Sequence, residues 1–574
     1  MKISGAEIII KRLEECGIEQ ISGIPGGSNL PIFDALYSSN IKNIIPRNEQ
    51  GAGFIAQGIS RSTGKVAVCM ATSGPGATNL ITAIADAMAD SIPIIAITGQ
   101  VNSSLMGTNA FQEIDFAKMT KSICKKSFSI ASAKELISII PEAINIAESG
   151  RPGPVVIDIP KDIQNEIIEI DKWPDINSQA INSKSTAESD CKSSDYNSSY
   201  SNTENIKTIA KLINNSNKPA IIAGGGSISS NATKYIADIS HKNSIPIATT
   251  LMGIGAMPSD DSLCFGMIGM HGRKSANRLI KNADVIIALG TRFNDRSASN
   301  NDFFANDAQI IHIDIDPKEF GKNINSSFNI HMDIAGFLEQ ITPLIESNNR
   351  QEWIDTATKF SADDEDMYSE SPIAKTIIGE ITSNEITSEN KQEMIIATDV
   401  GQHQMWAAQF GKYLSPRSFL TSGGIGTMGF GLPTAIGAAL ANPDKKIICI
   451  SGDGSIQMNI QEFATMQEHN LNITVFIINN YQYGMVTQQQ DILYKGRKSS
   501  STFDNSPNFC TIAEGYGIRC YDAKDFISTS CAIKTALSDN APTIVNIPFI
   551  ENETVYSMFV KKEFHNKSSN EQVA

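Results

Sequence analysis

Short, fully apolar segments that end in glycine-rich or polar turns recur along the whole chain. Examples are KVAVCMA before TSGPGATNL, PAIIA before GGGS, ADVIIAL before GTRF and KKIICIS before GDGS. Such runs, alternating with helical patterns, are typical of parallel strands whose two faces are both covered by helices. A chain of 574 residues is also too long for one core. The pattern predicts an α/β protein of three doubly wound parallel-sheet domains.

Two shifts in composition divide the chain into these domains. Residues 176–206 are rich in serine and asparagine, and they contain too little apolar material to bury a core, which indicates a surface linker. A weaker break, NNRQEWIDTATKFSADDEDMYSESP, indicates a second linker at 346–375. The predicted domains are therefore 1–175, 207–345 and 376–574.

Composition excludes several classes of protein. The net charge of −15 argues against a general nucleic-acid binder, and no apolar run approaches the ~18–20 residues that span a bilayer. The first residues enter an amphipathic helix almost at once, which leaves no room for a targeting peptide. Nine cysteines form no C-x-x-C pair, so we expect free thiols. These features predict a cytoplasmic enzyme.

Polar side chains follow two apolar strands of the last domain. Asp453 ends KKIICISG, and Asn480 ends NITVFIIN 27 residues later, with an amphipathic crossover segment between them. Both can meet at the carboxyl edge of one sheet, where oxygen ligands suit Mg²⁺ that also binds phosphate. Gly454 and Ser455 would offer backbone N–H groups to that phosphate. The alternative is an ordinary turn and a helix cap.

This arrangement of GDG and NN resembles the signature of thiamine-diphosphate enzymes. The resemblance implies a cofactor bound between the first domain of one subunit and the third domain of another, hence a homodimer or homotetramer. It also implies a glutamate for the pyrimidine ring, and Glu49 in PRNEQGAG follows the strand IKNIIP. Its carboxyl group would hydrogen-bond N1′ and favour the imino tautomer that removes the C2 proton. Taken alone, Glu49 would instead be a helix-start acid.

Longer strings narrow the resemblance to the large catalytic subunit of acetohydroxyacid synthase (acetolactate synthase). They include ATSGPGATNL, SGRPGPVVIDIPKDIQ, TRFNDR, TDVGQHQMWAAQ and SGGIGTMGFGLP, in order. The resemblance implies decarboxylation of pyruvate and condensation with a second 2-ketoacid. Pyruvate would give 2-acetolactate and 2-ketobutyrate would give 2-aceto-2-hydroxybutyrate, in valine, leucine and isoleucine biosynthesis. It further implies FAD without net redox chemistry and a possible small regulatory subunit.

The same resemblance implies roles for individual residues. Met428 would support the bent cofactor, and the carbonyl of Gly426 would accept its 4′-amino group. Asp453, Asn480 and the backbone oxygen of Gln482 would bind Mg²⁺. The diphosphate would contact Gly401, Gln402, His403, Gly454 and Ser455. FAD would contact Arg151, Gly224, Gly225, Gly226, Thr250, Leu251, Met270, His271, Gly290, Arg292, Asp295, Asp314 and Ile315.

Two of the implied FAD contacts have plain alternatives. The GGGS string is half of a dinucleotide fingerprint, because Ser229 stands where the third glycine would be, so it could be a simple glycine-rich turn. His271 could equally be a histidine whose hydrogen bonds are satisfied within its turn.

The substrate end of the site follows from the same resemblance. Arg296 would pair with the carboxylate of the second ketoacid, a task that suits a planar and always charged guanidinium. The alternative is a structural ion pair with Asp295. The channel would be lined by Phe111, Gln112, Lys125, Val400 and Met485.

Three positions depart from the family pattern. Gln489 stands where the family has a tryptophan that favours 2-ketobutyrate, so we expect acetolactate to predominate. One methylene of discrimination is worth only ~1–3 kcal/mol even in a good pocket. Asn48 replaces a histidine and should keep a hydrogen bond. Ser557 replaces a proline in the C-terminal segment that closes over the cofactor in the family.

Other functions stay open at this point. A pyruvate oxidase would use FAD as an electron acceptor, and a catabolic acetolactate synthase would lack FAD. Glyoxylate carboligase is disfavoured because its family lacks the glutamate that Glu49 supplies. A non-catalytic subunit is disfavoured by the presence of Glu49, Arg296, Asp453 and Asn480 together.

Overall fold

Three six-stranded parallel sheets, one in each third of the chain, form the framework of the molecule. The computed structural model describes residues 1–175, 202–298, 307–383, 393–549 and 553–555. The central strands of each sheet are buried along nearly all of their length, which is typical of parallel sheets covered by helices on both faces. The predicted α/β fold class is confirmed.

The N-terminal sheet has the strand order β3-β2-β4-β5-β7-β6, and the antiparallel pair β1–β8 lies beside it. Its strands are β1 Lys2–Ser4, β2 Gln20–Gly23, β3 Lys42–Ile44, β4 Ala67–Ala71, β5 Ile94–Gln100, β6 Lys126–Ser129, β7 Val155–Pro160 and β8 Ile167–Glu169. Its helices are α1 Gly5–Glu15, α2 Leu30–Leu36, α3 Glu49–Thr63, α4 Pro75–Asn79, α5 Ile81–Asp90, α6 Phe116–Thr120, α7 Ala133–Glu148 and α8 Lys161–Asn165.

The central sheet has the order β11-β10-β9-β12-β13-β14. Its strands are β9 Pro219–Ala223, β10 Ile247–Thr249, β11 Cys264–Met267, β12 Val285–Leu289, β13 Gln309–Asp314 and β14 Phe328–His331. The helices of this region and of the segment that follows it are α9 Asn202–Asn215, α10 Gly225–Ser229, α11 Thr233–Asn243, α12 Lys274–Asn282, α13 Asp295–Ala298, α14 Ile334–Ile341, α15 Gln351–Lys359, α16 Glu365–Glu370 and α17 Pro372–Ile381.

The C-terminal sheet has the order β16-β15-β17-β18-β20-β19. Its strands are β15 Met394–Thr398, β16 Phe419–Leu420, β17 Lys446–Gly452, β18 Ile473–Asn479, β19 Arg519–Asp522 and β20 Thr543–Pro548. Its helices are α18 Gln402–Phe410, α19 Gly431–Ala441, α20 Asp453–Ile456, α21 Phe463–Glu468, α22 Gly484–Leu493, α23 Phe509–Gly515 and α24 Phe526–Ser538.

Helices α3 and α19 join the first domain to the third. A Cβ atom on Gly58 would lie 2.1 Å from the carbonyl oxygen of Thr434, and one on Gly437 would lie 2.0 Å from that of Ile55. Only glycine allows this backbone contact, which places the two helices in one shared hydrophobic core. Because Glu49 is the first residue of α3, this packing also fixes the position of the predicted catalytic glutamate.

Residues 346–375, predicted as the second linker, contain helices α15 and α16 and the start of α17. Trp353 is only 3% exposed, and its indole N–H donates to the carbonyl of Pro219 at 2.9 Å. Trp353, Ala357 and Phe360 repeat at helical spacing, so they bury one face of a polar segment against the central domain.

The first predicted linker, 176–206, lies outside the described residues except for 202–206, which belong to helix α9. The three sheets lie within 1–175, 207–345 and 376–574, and the exact domain limits stay a prediction.

The expectation that the cysteines are free is also wrong for one pair. Cys510 on α23 and Cys520 on β19 form a disulfide, with Cα atoms 5.2 Å apart. The chain turns back from α23 into β19, so ten residues of separation still bring the two thiols into contact. Among the described residues, the remaining cysteines are free thiols.

Candidate active site

Asp453 lies at the carboxyl edge of the C-terminal sheet, as its place after β17 predicts. Gly452 pairs with Ile478 of β18, so Asp453 and Asn480 leave neighbouring strands at the same edge. Asp453 is 1% exposed, and its Oδ2 has no hydrogen-bond partner among the described residues. Burial raises the pKa of this carboxyl to about 6, although backbone N–H groups of Gly454 and Tyr481 oppose the shift. A buried and unpartnered carboxylate oxygen is the environment in which a hard cation is favoured.

Asn480 is oriented by a side-chain amide of the neighbouring helix α18. Its Nδ2 donates to Oε1 of Gln402 at 3.0 Å, which leaves its Oδ1 as the free end of the amide for a metal. Gly484 permits this contact, because a Cβ atom there would lie 1.9 Å from Oε1 of Gln402. The donor set of Asp453, Asn480 and a Gln482 carbonyl is therefore compatible with Mg²⁺.

His403 and two glycines form the floor beneath the start of α18. His403 is 5% exposed, and burial lowers its pKa to about 3, so the imidazole is neutral. Its Nε2 has no partner among the described residues. A Cβ atom on Gly401 or Gly452 would lie 2.7 or 3.0 Å from the imidazole ring. The N-cap residue of α18 is Gly401, which has no side chain to cap the helix, so the first backbone N–H groups can face an anion such as a diphosphate.

The loop that carries Met428 is held by a carboxylate that the sequence analysis missed. Asp399 accepts from the backbone N–H of Gly429 at 2.8 Å and from that of Gly431 at 3.3 Å. It is fully buried, and burial raises its pKa to about 6. Asp399 directly follows the apolar strand β15, so the rule that selected Asp453 could have found it.

Two further acids of the first domain hold the other end of this loop. Asp90 accepts from the backbone N–H groups of Gly423 and Gly424 at 3.0 and 2.7 Å. Asp86 accepts from the hydroxyls of Ser422 and Thr427. Their only sequence signal is a pair of acids four residues apart in the apolar helix ITAIADAMAD.

A buried arginine contacts both of these acids. Nη2 of Arg61 lies 3.0 Å from Asp86 and 2.9 Å from Asp90, and all three side chains are at most 4% exposed. The two carboxylates share a single cation, and burial together with the charge of Asp90 raises the pKa of Asp86. Through these contacts, the first domain holds the loop that supports Met428.

One cavity of about 1070 Å³ connects the C-terminal site with the central domain. At the C-terminal end, the predicted residues that line it are Val400, Gly401, Gln402, His403, Gly426, Met428, Asp453, Gly454, Ser455, Asn480, Gln482, Met485 and Gln489. At the central end, those that line it are Arg151, Gly225, Gly226, Thr250, Leu251, His271, Gly290, Arg292, Asp295, Arg296, Asp314 and Ile315.

Two predicted FAD contacts do not line this cavity. Gly224 lies behind its wall, where a Cβ atom would meet the carbonyl oxygen of Gly290 at 2.1 Å. Met270 instead supports Arg296, since its sulfur accepts from Nη1 of Arg296 at 3.3 Å and its N–H donates to the carbonyl of Arg296.

The wall of the central part carries cations and an acid. Burial and the charge of Arg151 both lower the pKa of Arg292, so an anionic group beside these two guanidiniums would be stabilised. Burial raises the pKa of Asp314 to about 6, at the end of strand β13. Close glycine turns with two arginines suit a diphosphate-containing ligand such as FAD.

Arg296 is exposed within the cavity. Its Nε lies 3.4 Å from Asp295, and the two side chains are 62% and 77% exposed. The structural ion pair that was considered as an alternative is therefore present, but a pair in solvent contributes little to stability. The guanidinium is available to a carboxylate, and Gln489 lines the same cavity.

Four predicted catalytic residues do not line the cavity: Glu49, Phe111, Gln112 and Lys125. Glu49 accepts from Asn79 at 2.9 Å, and Asn48 caps α3 by accepting from Gln50 N–H at 2.8 Å. Phe111 is 88% exposed, and Gln112 next to it has a left-handed φ of 61°.

Lys125 caps the end of helix α7, where its ammonium group donates to the carbonyls of Ser149, at 2.6 Å, and Ile146. Burial lowers the pKa of Lys125 to about 8. Lys125, like Glu49, thus lies outside the cavity that Asp453 of the same chain lines.

Comparisons with known proteins identify the family of the chain. The chain is 43% identical over 567 residues to the acetolactate synthase isozyme 1 large subunit of Escherichia coli (strain K12), covering 97% of this chain and 96% of that protein. The chain belongs to the acetolactate synthase large-subunit family. The predicted resemblance is thereby confirmed.

Other acetolactate synthase relatives match over nearly the whole chain as well. A probable acetolactate synthase large subunit of Methanocaldococcus jannaschii is 42% identical over 556 residues, which cover 95% of this chain and 92% of that protein. Acetolactate synthase 1, chloroplastic, of Oryza sativa subsp. japonica is 38% identical over 572 residues, which cover 96% of this chain and 86% of that protein.

The three domains also match families of thiamine pyrophosphate enzymes. Residues 3–119 match the N-terminal TPP binding domain, 206–341 the central domain and 399–547 the C-terminal TPP binding domain. Within the described part of the chain, no helix is long and apolar enough to cross a membrane.

Proposed function

We propose that this chain is the catalytic large subunit of an acetolactate synthase. The observation that carries the proposal is Asp453, a buried carboxylate with an unpartnered oxygen at the edge of a thiamine pyrophosphate enzyme domain. Asp453, Asn480 and the Gln482 carbonyl would bind Mg²⁺, and the backbone at the start of α18 would bind the diphosphate. When bound, thiamine diphosphate supplies the electron sink for decarboxylation of a 2-ketoacid.

The residues of the chain have distinct parts in this activity. Met428, on a loop held by Asp399 and by acids of the first domain, would support the cofactor from below. The neutral imidazole of His403 would face the diphosphate without a competing charge. Arg296 would hold the carboxylate of the second ketoacid and so orient its carbonyl for condensation.

The site requires a second copy of the chain. Glu49, Phe111 and Gln112 lie outside the cavity of their own chain, and Phe111 is exposed. A homodimer would place Glu49 of one copy at the pyrimidine ring bound to the other, where its carboxyl group would hold a proton at N1′. A homotetramer made of two such dimers, and a small regulatory subunit, are compatible with the same site.

FAD belongs to this proposal because the cavity continues into the central domain. Arg151, Arg292 and the glycine turns at Gly226 and Gly290 suit its diphosphate. The product would be mainly 2-acetolactate, since Gln489 offers no flat apolar wall for the larger 2-ketobutyrate. The pathway served would be branched-chain amino acid biosynthesis in the cytoplasm.

Product analysis tests the proposal. The purified chain receives pyruvate, with or without 2-ketobutyrate, in the presence of thiamine diphosphate, Mg²⁺ and FAD. We expect 2-acetolactate from pyruvate without oxygen uptake. Stoichiometric oxygen consumption would instead support a pyruvate oxidase, and the absence of both product and uptake would support a non-catalytic subunit.

A further inference from the structure

Gln488 binds the C-terminal segment of the chain through both ends of its amide. Its Nε2 donates to the carbonyl of Val555 at 2.7 Å, and its Oε1 accepts from the N–H of Val555 at 2.9 Å. Gln488 is 8% exposed and Val555 is 1% exposed. The side chain therefore pairs with one residue of the segment as a neighbouring strand would, in a place where unpaired polar groups would be costly.

The amide of Gln488 also contacts Gln402, a residue that contacts the proposed Mg²⁺ ligand Asn480. Nε2 of Gln402 donates to Oε1 of Gln488 at 3.2 Å and to the carbonyl of Glu553 at 3.3 Å. The Oε1 of Gln402 is the group that accepts from Asn480. A continuous line of amides thus runs from the proposed Mg²⁺ ligand to residues 553–555.

The far side of the segment is attached to helix α17. The Glu553 carboxylate accepts from the first backbone N–H groups of α17, those of Ile373 at 2.7 Å and Ala374 at 2.9 Å. The hydroxyl of Ser371 donates to the carbonyl of Thr554 at 2.6 Å. Residues 553–555 are therefore held on two sides, and Gln488 is the contact on the side of the site.

We propose that Gln488 is a positioning residue for the Mg²⁺ site. It fixes the amide of Gln402, which in turn fixes Asn480 with its oxygen available for the metal. Because the same amide binds Val555, Mg²⁺ binding and docking of residues 553–555 strengthen each other, as thermodynamic linkage requires. The inference rests on the proposed function, since it takes Asn480 as a Mg²⁺ ligand.

Glutamine is suited to this position by its chemistry. A glutamate would keep an acceptor for Gln402 but would face the carbonyl of Val555 with a second acceptor. A methionine would keep the volume and lose all three hydrogen bonds. A merely structural role for Gln488 predicts lower stability in both variants with no change in Mg²⁺ affinity.

The test compares Gln488→Met and Gln488→Glu with Gln490→Met in the full-length chain. Gln490 lies on the same helix but bonds Ser499 and Ser501 instead of the C-terminal segment. The readouts are the Mg²⁺ dissociation constant at saturating thiamine diphosphate, measured by calorimetry, and hydrogen exchange of a peptide that contains residues 553–555.

We expect Gln488→Met to weaken Mg²⁺ binding by roughly tenfold, as is typical when a residue behind a metal ligand is lost. The amide protection of 553–555 should fall in the same variant. Gln488→Glu should show a smaller loss of both, and Gln490→Met should resemble the wild type. A folded Gln488→Met chain with wild-type Mg²⁺ affinity would overturn the proposal.

The wild-type chain provides a test that does not depend on the variants folding. Addition of Mg²⁺ with thiamine diphosphate should slow hydrogen exchange at 553–555. If the cofactor binds and hydrogen exchange at 553–555 is unchanged, the proposed coupling between Mg²⁺ binding and this segment is wrong, while the proposed function stands. If the wild type binds no thiamine diphosphate, the proposed function is wrong, and so is the proposed coupling that rests on it.

Discussion

The carboxylate of Asp399 accepts a hydrogen bond at 2.8 Å from the backbone N–H of Gly429, the residue that follows Met428. We expect Asp399→Ala to leave buried N–H groups unpaired and to let the Met428 loop move. Each unpaired group costs about 1–3 kcal/mol, so thiamine diphosphate binding should weaken at least roughly tenfold. Titration calorimetry measures this effect.

Asp522→Ala is the matched control for Asp399→Ala. Asp522 also ends a strand of the same sheet, but it is exposed and accepts from Asn546 at 2.7 Å. Equal losses of affinity in the two variants would show that Asp399 has no specific role in the loop.

Replacing Asp453 by asparagine should stabilise the metal-free chain at high pH. The folded pKa of about 6 exceeds the ordinary value of 3.8, so ionisation costs stability as pH rises through this window. Above this pH window, ionisation of Asp453 lowers the free energy of unfolding by about 3 kcal/mol. Metal-free Asp453→Asn should therefore melt above the wild type at pH 8, and the two should converge near the lower end of the window.

Mg²⁺ should reverse this order of stabilities. With Mg²⁺ and thiamine diphosphate present, only the wild type gains ligand stabilisation, so it should melt above Asp453→Asn. Differential scanning fluorimetry with and without Mg²⁺ measures both effects. A variant that gains as much stability from Mg²⁺ as the wild type would exclude Asp453 as a ligand.

Gln489→Trp should shift the choice of second substrate towards 2-ketobutyrate. Gln489 lines the cavity with Arg296, so an indole there would add apolar contact for one extra methylene. The expected gain is about 1–3 kcal/mol, or roughly 10- to 200-fold in the ratio of products. Competition between pyruvate and 2-ketobutyrate gives this ratio, and Gln490→Trp is the control. An unchanged ratio in Gln489→Trp would contradict the assignment.

The strand ends could be predicted from sequence because they are local features. Apolar runs such as KKIICIS and NITVFIIN identify buried parallel strands, and the residue after each strand must lie at one edge of the sheet. That rule places Asp453 and Asn480 at the edge, and the GDG and NN strings distinguish them as candidate metal ligands. The same rule applies to Asp399, but no motif such as GDG distinguishes this residue from others that follow a strand.

The support of the Met428 loop could not be predicted from sequence because it depends on contacts between distant parts of the chain. Asp86 and Asp90 reach residues 422–427 across more than 330 positions. The helices at 346–375 were missed for another reason. The segment is polar on average, and only the helical spacing of Trp353, Ala357 and Phe360 indicates that one face is buried.

Mixing two inactive variants tests the account most directly. Glu49→Gln lacks the proposed proton-holding group, and Asp453→Ala lacks the proposed metal ligand. If each site takes Glu49 from one copy and Asp453 from the other, a mixed dimer contains one intact site. After unfolding and random reassembly of equal amounts, acetolactate formation from pyruvate should recover to about a quarter of the wild-type rate. No recovery from the mixture, with recovery of the wild type treated in the same way, would contradict a site shared between two copies.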